Sequence, residues 1–358
     1  MQPIYHVILA GGSGSRFWPK SRENKPKQLL KIIGNETMIR LTYNRLVKKS
    51  DPENIFVVAS QKLCDQIEIE IPEIPIENYI IEPSAKNTAP AIGLAAQHII
   101  KRNSNAIMGI YPSDHLIIDE NKFQMTIDKA QEMITQNPTL ITIGINPTYP
   151  ATGYGYIKYD ANNKTNIETI YKVEKFVEKP DESTAEKFVK NGDFLWNGGM
   201  FIWKAETIIN EIKTYMPTLY KSLHIIYNSI STNQYKTTLL KEWETLPSES
   251  IDYGILEKTN NVYTAKADFK WNDLGSWKSL FDVLTKNSEQ NFYDGDIISL
   301  HSENNLVISP NRLTAMIGIK NTTVINLDDV TLIVPHEHAE TVKDIVNMLK
   351  SLNRNEYI

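Results

Sequence analysis

The chain has 358 residues, 41% of them hydrophobic and 23% charged, with a net charge of -5. That balance is globular, with length enough for one large or two moderate domains. No basic block or Lys/Arg-rich tail stands out, which argues against nucleic acid as a partner. No apolar run approaches about 18 residues, and the N-terminus enters a strand rather than a signal peptide, so no membrane association and a cytoplasmic location are expected.

Taken in chain order, Ile4 to Leu9 reads as a buried strand and Glu36 to Lys48 as a helix. Strands follow at Ile55 to Ala59 and Tyr79 to Ile81, then a helix at Ala89 to Lys101 and a strand at Ala106 to Tyr111. Phe123 to Thr135 reads as helix and Leu140 to Ile143 as strand. This βαβα rhythm predicts an α/β fold: a Rossmann-like, mostly parallel sheet with helices on both faces. Ligands on such sheets sit beyond the carboxyl ends of the strands. Thr152 to Trp203 is strand-rich and aromatic, suited to extending the sheet as a substrate-facing wall, and Ala205 to Leu246 reads mostly as helix. After about Asn291 short β runs separated by turns appear at 297–300, 306–308, 314–317, 323–327 and 331–334, with a last helix from about Glu340 to Leu352. The expected division is a catalytic domain over 1–285 and a small β-rich, partly β-helix-like domain over 291–358.

The polar motifs fall where the strands end. Leu9-Ala10-Gly11-Gly12-Ser13-Gly14-Ser15-Arg16 follows the first strand directly. Glycines let backbone N–H groups approach an anion with no Cβ in the way, and Arg16 adds a fork that fits phosphate oxygens. Lys25-Pro26-Lys27-Gln28 brings more positive charge. The dinucleotide fingerprint needs Gly where Phe17 stands, and the P-loop needs a Gly-Lys pair that the chain lacks. Asp114, in Tyr111-Pro112-Ser113-Asp114-His115, suits Mg²⁺ as a hard oxygen ligand or, alternatively, caps a turn. Asn87 or Thr88 can cap the helix that begins beside Pro90, and Ser250 or Asp252 can cap another. Glu178 and Lys179 could form a plain ion pair at a strand end. Cys64, the single cysteine, makes no internal disulfide and no Cys-rich zinc site. His336-Glu337-His338 lacks a third ligand and reads as a surface turn.

The stretch Ala10 to Pro19, followed by Lys25-Pro26-Lys27-Gln28, resembles the signature of the sugar nucleotidylyltransferases. Further motifs occur in family order, among them Glu82 to Ile92, Tyr111 to His115, Thr152 to Ile157, Phe176 to Pro180, Trp196 to Phe201 and Trp271-Asn272-Asp273-Leu274-Gly275-Ser276-Trp277. The resemblance covers roughly Ile4 to Leu280. It implies that Leu9, Ala10, Gly11, Gly12, Ser13, Gly14, Ser15 and Ser113 hold a nucleoside triphosphate and that Arg16 and Lys27 stabilise phosphate charge during transfer. It further implies that Asp114 and Asp273 share Mg²⁺. Gly155, Glu178, Lys179, Asn197, Gly198 and Asp252 would form the sugar pocket.

Glu82, Asn87, Thr88 and Ala89 resemble the base-recognition stretch of the guanylyltransferase branch, which implies GTP and mannose 1-phosphate as substrates, with GDP-mannose and pyrophosphate as products. Lys86 stands where the family usually has Arg, and loses the bidentate fork. Gly198 replaces the commoner Ser, so a hydroxyl contact there is absent. Asn272 and Leu274 stand for the commoner Ser and Val. The alternatives are a glucose- or heptose-1-phosphate nucleotidylyltransferase and a non-catalytic subunit that binds nucleotide sugar; the latter could lose Lys27 or the two aspartates without harm. No isomerase activity is expected. The β-rich tail is open to two uses, a homodimer interface or packing on its own catalytic domain.

Overall fold

A computed structural model describes residues 3–12 and 14–358, with backbone alone for 162–164. In chain order the elements are β1 (Ile4–Leu9), α1 (Met38–Leu46), β2 (Ile55–Ala59), α2 (Gln61–Glu70), β3 (Tyr79–Ile81), α3 (Thr88–Arg102), β4 (Ile107–Pro112), the two-residue β5 (Leu116–Ile117), α4 (Glu120–Gln136) and β6 (Leu140–Ile145). Then come β7 (Tyr156–Lys164), β8 (Ile170–Val177), α5 (Glu182–Asn191), β9 (Phe194–Lys204), α6 (Ala205–Tyr215), α7 (Pro217–Ser229), α8 (Tyr235–Glu244), β10 (Val262–Lys266) and the short β11 (Trp271–Asn272). The chain ends with α9 (Trp277–Val283), β12 (Phe292–Leu300), β13 (Leu306–Ile317), β14 (Thr322–Asn326), β15 (Thr331–Pro335) and α10 (Val342–Ser351).

Two compact units result, and they do not follow chain order. The first joins 1–11, 42–113 and 117–271; the second joins 12–41, 114–116 and 272–358.

The first unit is built on a nine-stranded sheet of order β3-β2-β1-β4-β9-β6-β10-β8-β7. β1 runs parallel to β2 and β4, and β6 parallel to β10. β9 lies between β4 and β6, antiparallel to both. It therefore sits in the middle of the sheet, while β8 and β7 of the same strand-rich stretch extend the sheet at one end. Strands covered on both faces read as continuous apolar runs, and every residue of β2 and β6 is buried. α3 and α6 cover one face, with α7 packed on both, and Phe56, Ile110, Trp203 and Leu223 are buried in the resulting core. Each such side chain contributes roughly 1.5–3 kcal/mol of burial. Leu9 pairs with Pro112, so β1 and β4 end at the same rim.

Three helices escaped the sequence reading, and one of them, α9, starts at a Ser276 capping box. α2 occupies Gln61–Glu70. α5 carries recognisable punctuation: Asp181 caps it by accepting from Thr184 N, and Gly192 closes it in the left-handed region.

In the second unit β12, β13 and β14 are parallel and stack as successive rungs, and β15 adds to β14 antiparallel. The two runs expected at 306–308 and 314–317 form one strand, β13. Buried asparagines tie the rungs together. Asn305 N and Nδ2 both donate to Asn291 Oδ1, and Thr322 N donates to Asn305 Oδ1 at 3.0 Å. Such stacked amides satisfy backbone groups that a tight β-helical corner would otherwise leave unpaired. Among the described residues no helix is long and apolar enough to cross a membrane.

Candidate active site

Within the second unit, the glycine loop and two acidic segments converge on one cavity of about 410 Å³. Gly14, Ser15, Arg16, Lys27, Asp114 and Asp273 all line it. Lys27 is its hub. It opens a short 3-10 turn, Lys27–Leu29, after Pro26, and its side chain is only 6% exposed. Its Nζ lies 2.8 Å from Asp114 Oδ2 and donates to the backbone oxygen of Asp273 at 2.7 Å. The ammonium also lies 5.5 Å from the centroid of the Phe17 ring.

Phe17 is fixed in turn. It packs on Trp277, whose Nε1 donates to Trp18 O at 3.0 Å, and Trp18 Nε1 donates to Tyr357 O. The aromatic residues of two motifs thus hold the lysine's surroundings rigid. Gly14 lets the loop pass: its φ is 61°, and a Cβ there would stand 2.3 Å from Lys27 Cβ. Ser21 Oγ donates to Gly14 O at 2.8 Å.

The electrostatics keep an acid beside the base. Burial pushes the Asp114 carboxyl up, but Lys27 and His115 outweigh it and hold it below its ordinary range. Asp114 therefore stays ionised at neutral pH. Asp273 Oδ1 accepts from Gly275 N at 3.0 Å, and Asn272 Oδ1 accepts from Leu274 N at 2.7 Å. These contacts shape the turn that presents Asp273. His115, Phe17, Leu274 and Gly275 also line the cavity. All four lie inside motifs already visible in the sequence. Lys343 lines it too, and no motif marked that residue. Ser13 lies outside the described residues.

In the first unit, Leu9, Ala10 and Ser113 sit at the rim of β1 and β4. Ser113 N donates to Leu9 O at 3.1 Å, and Ala10 N donates to Val58 O at 3.0 Å. A Cβ on Gly11 would meet nothing within 4 Å, and the same holds for Gly12, which belongs to the second unit.

A second cluster of the first unit contains Gly155, Glu178, Asn197 and Asp252. Asn197 N donates to Gly155 O at 2.8 Å, and Asn197 Nδ2 donates to Asp252 Oδ1 at 2.9 Å. Asn197 Oδ1 accepts from Thr142 Oγ1 and from Gly199 N. The amide is thus locked before any ligand arrives. Asp252 opens a single π-helical turn, Asp252–Leu256, an irregularity often found at functional sites. Glu178 pairs with Lys179 through Oε1. Its Oε2 is buried and has no hydrogen-bond partner among the described residues. A Cβ on Gly155 would stand 2.4 Å from that oxygen. An orphaned carboxylate oxygen over a glycine is a waiting acceptor for a hydroxyl. Burial pushes Lys179 down, but Glu178 and Asp252 more than offset it and hold it above its ordinary value. Gly198 faces protein, its absent Cβ lying 2.9 Å from Ile143 O.

Burial, reinforced by the Glu178 charge, pushes Asp252 up to about 7. In the unfolded chain it titrates near 3.8. Between these values the folded state binds the extra proton, so this group's contribution to stability is full below about pH 3.8 and is lost as pH rises toward 7. Asp252→Asn removes that decline. Melting curves at pH 4.5 and pH 8 are expected to show the variant gaining on the wild type at the higher pH; parallel curves would refute the assignment.

The Glu82 to Ala89 segment, also in the first unit, is heavily tied to its neighbours. Asn87 has φ 68° and caps α3 by accepting from Thr88 N at 2.8 Å. Thr88 Oγ1 accepts from Ile251 N at 2.9 Å, and the buried Ala89 donates through N to Glu249 O. Lys86 Nζ donates to Glu244 O and Leu246 O, capping the C-terminal end of α8. A single ammonium with three donors suits that role as well as a guanidinium fork would. Glu82 is pushed up to about 7 by burial.

A Nucleotidyl transferase family model matches residues 5–290, and a model of the MannoseP isomerase/GMP-like beta-helix domain matches residues 295–349. The chain is 35% identical to the xanthan biosynthesis protein XanB of Xanthomonas campestris pv. campestris, over 99% of this chain and 75% of that protein. It is 36% identical to mannose-1-phosphate guanylyltransferase RfbM of Salmonella typhimurium, over 98% of this chain and 73% of that one. Among solved structures, a "mannose-1-phosphate geranyltransferase" from Thermus thermophilus superposes with a TM-score of 0.87 at 26% identity, covering 98% of this chain and 100% of that one. The chain belongs to the nucleotidyl transferase family and is an enzyme, a nucleotidyltransferase carrying a C-terminal β-helix domain of the MannoseP isomerase/GMP-like type.

Proposed function

We propose that the enzyme transfers GMP from GTP to α-D-mannose 1-phosphate. A phosphate oxygen of the sugar phosphate attacks the α-phosphorus in line. The bond between the α-phosphorus and the bridging oxygen breaks, and pyrophosphate leaves with the electron pair. No covalent enzyme intermediate is needed, so the protein's work is positioning and charge neutralisation. The observation that carries the reading is the Lys27 ammonium, held between Asp114 and Asp273 in a cavity shared with Gly14 and Arg16.

Lys27 and Arg16 supply positive charge to the phosphates and the leaving pyrophosphate. The donor set fits Mg²⁺, which takes one or two carboxylates and completes its shell with phosphate oxygens and water. Among the described residues no group of three or more His, Cys, Asp or Glu is arranged to hold a metal. Asp114 and Asp273 would hold the ion, whose chemistry is to neutralise phosphate charge and align the reacting groups. Glu178 Oε2 accepts from a sugar hydroxyl, Asn197 keeps that wall in register, and Lys179 pairs with the sugar phosphate. Mannose and guanine come from the names of the relatives and from the Glu82 to Ile92 resemblance.

The test is a panel of nucleoside triphosphates against sugar 1-phosphates with Mg²⁺, read as pyrophosphate release. GTP with mannose 1-phosphate is expected to exceed every other pair in kcat/KM by about tenfold or more, the range set by leaving a buried polar group unpaired. A preference for glucose 1-phosphate or for another base would transfer the assignment to a sister enzyme. Absence of pyrophosphate release with every pair would leave only nucleotide-sugar binding.

A further inference from the structure

The catalytic cavity of the second unit has a wall that the motifs do not explain. The 3-10 turn His336–Thr341 leads into α10, and the two present Glu340 and Lys343. Arg16 Nε lies 2.9 Å from Glu340 Oε2, and Lys343 lines the same cavity as Lys27 and Asp114. The placement is built in. Val342 and Val346 are buried in one cluster with Phe17 and Trp18, and α10 packs on the turn Ser15–Phe17 that carries Arg16. The helix backbone is therefore fixed beside the glycine loop, with Lys343 on its exposed side.

We propose that Lys343 is a further binding residue for the polyphosphate of the nucleotide, and that Glu340 holds Arg16 in place until phosphate displaces it. The proposal rests on the nucleotidyl-transfer reading of this cavity and adds the C-terminal helix to it. The Arg16–Glu340 pair is 44% and 62% exposed, and exposed pairs of this kind are weak. A polyphosphate offers Arg16 more negative charge and more acceptor oxygens than a single carboxylate, so the exchange runs toward phosphate. Glu340 then acts through Arg16 as a positioning residue, and its negative charge opposes anion entry. Lys343 contributes a flexible point charge at the end of a four-carbon stem.

The test is calorimetric titration of inorganic tripolyphosphate, with Mg²⁺ held constant, into the full-length protein and three variants. Tripolyphosphate carries neither base nor sugar, so the result is independent of whether GTP and mannose 1-phosphate are the substrates. Lys343→Ala is expected to weaken binding about tenfold, the size of one charge-assisted contact. Lys343→Arg should restore affinity to within about threefold. Glu340→Gln should tighten binding, the opposite sign from a merely structural loss. Lys343 and Glu340 are exposed, so none of these changes removes core packing. Affinities of Lys343→Ala and Glu340→Gln within twofold of the wild type would overturn the proposal. So would a weakened Glu340→Gln, or a wild type that turns over nucleotide but binds no tripolyphosphate at millimolar concentration.

Discussion

Lys27→Ala is expected to lower kcat for pyrophosphate release by about 10²–10³-fold, the cost of losing one preorganised charge that stabilises the transition state. The residue has three contacts to lose. Its ammonium neutralises Asp114 at 2.8 Å, braces the Asp273 turn at 2.7 Å and lies against the Phe17 ring. Removing it leaves only the weaker His115 and backbone contributions to oppose burial, which drives the Asp114 carboxyl upward. The variant's residual activity should therefore fall away at a higher pH on the acid side than the wild type's does. That shift separates loss of charge from loss of fold. Lys27→Arg keeps the charge but brings a larger planar head into a nearly closed position, so only partial rescue is expected. Near-wild-type turnover of Lys27→Ala, measured at saturating GTP and mannose 1-phosphate, would remove the lysine from the mechanism.

The residues around Lys27 also show what a sequence makes legible. β2 and β6 are buried, mostly apolar runs because both faces of each strand are covered, and such runs announce themselves. Gly14, Arg16, Lys27, Asp114 and Asp273 stand in local motifs whose order the family shares, and the fold gathers them around one cavity. The position of β9 was not legible. Strand order depends on pairing partners far away in the chain, and nothing within Phe194–Lys204 says that it will be inserted between β4 and β6. The second unit illustrates the same limit, because it draws 12–41 and 114–116 together with 272–358.

Asn87 and Thr88 read in the sequence both as helix caps and as base contacts, and in the fold each satisfies a backbone group, as Lys86 does at the end of α8. Lys343 shows the reverse case. It sits in an amphipathic helix where a lysine on the exposed face is unremarkable, and only its packing on the glycine loop gives it significance.

Gly14→Ala is expected to lower kcat/KM by about 10²-fold or more, through misplacement of Lys27 rather than loss of any side chain. Two costs combine there. The residue has φ 61°, and an L side chain in that region costs roughly 1–2 kcal/mol. The added methyl would also stand 2.3 Å from Lys27 Cβ and 3.2 Å from Lys27 N. Neither atom is the free end of a flexible side chain, so relief requires the loop or the Lys27 backbone to shift. Gly12→Ala separates the two costs: it has φ 83°, yet a Cβ there would meet nothing within 4 Å. Gly12→Ala should therefore lose some thermal stability and retain Lys27 in place, with a kcat much closer to wild type. Both variants should lose a few degrees in Tm, while the loss in kcat should be concentrated in Gly14→Ala. Equal kcat losses would mean that left-handed strain alone governs the loop, and that the close approach to Lys27 has no part in catalysis.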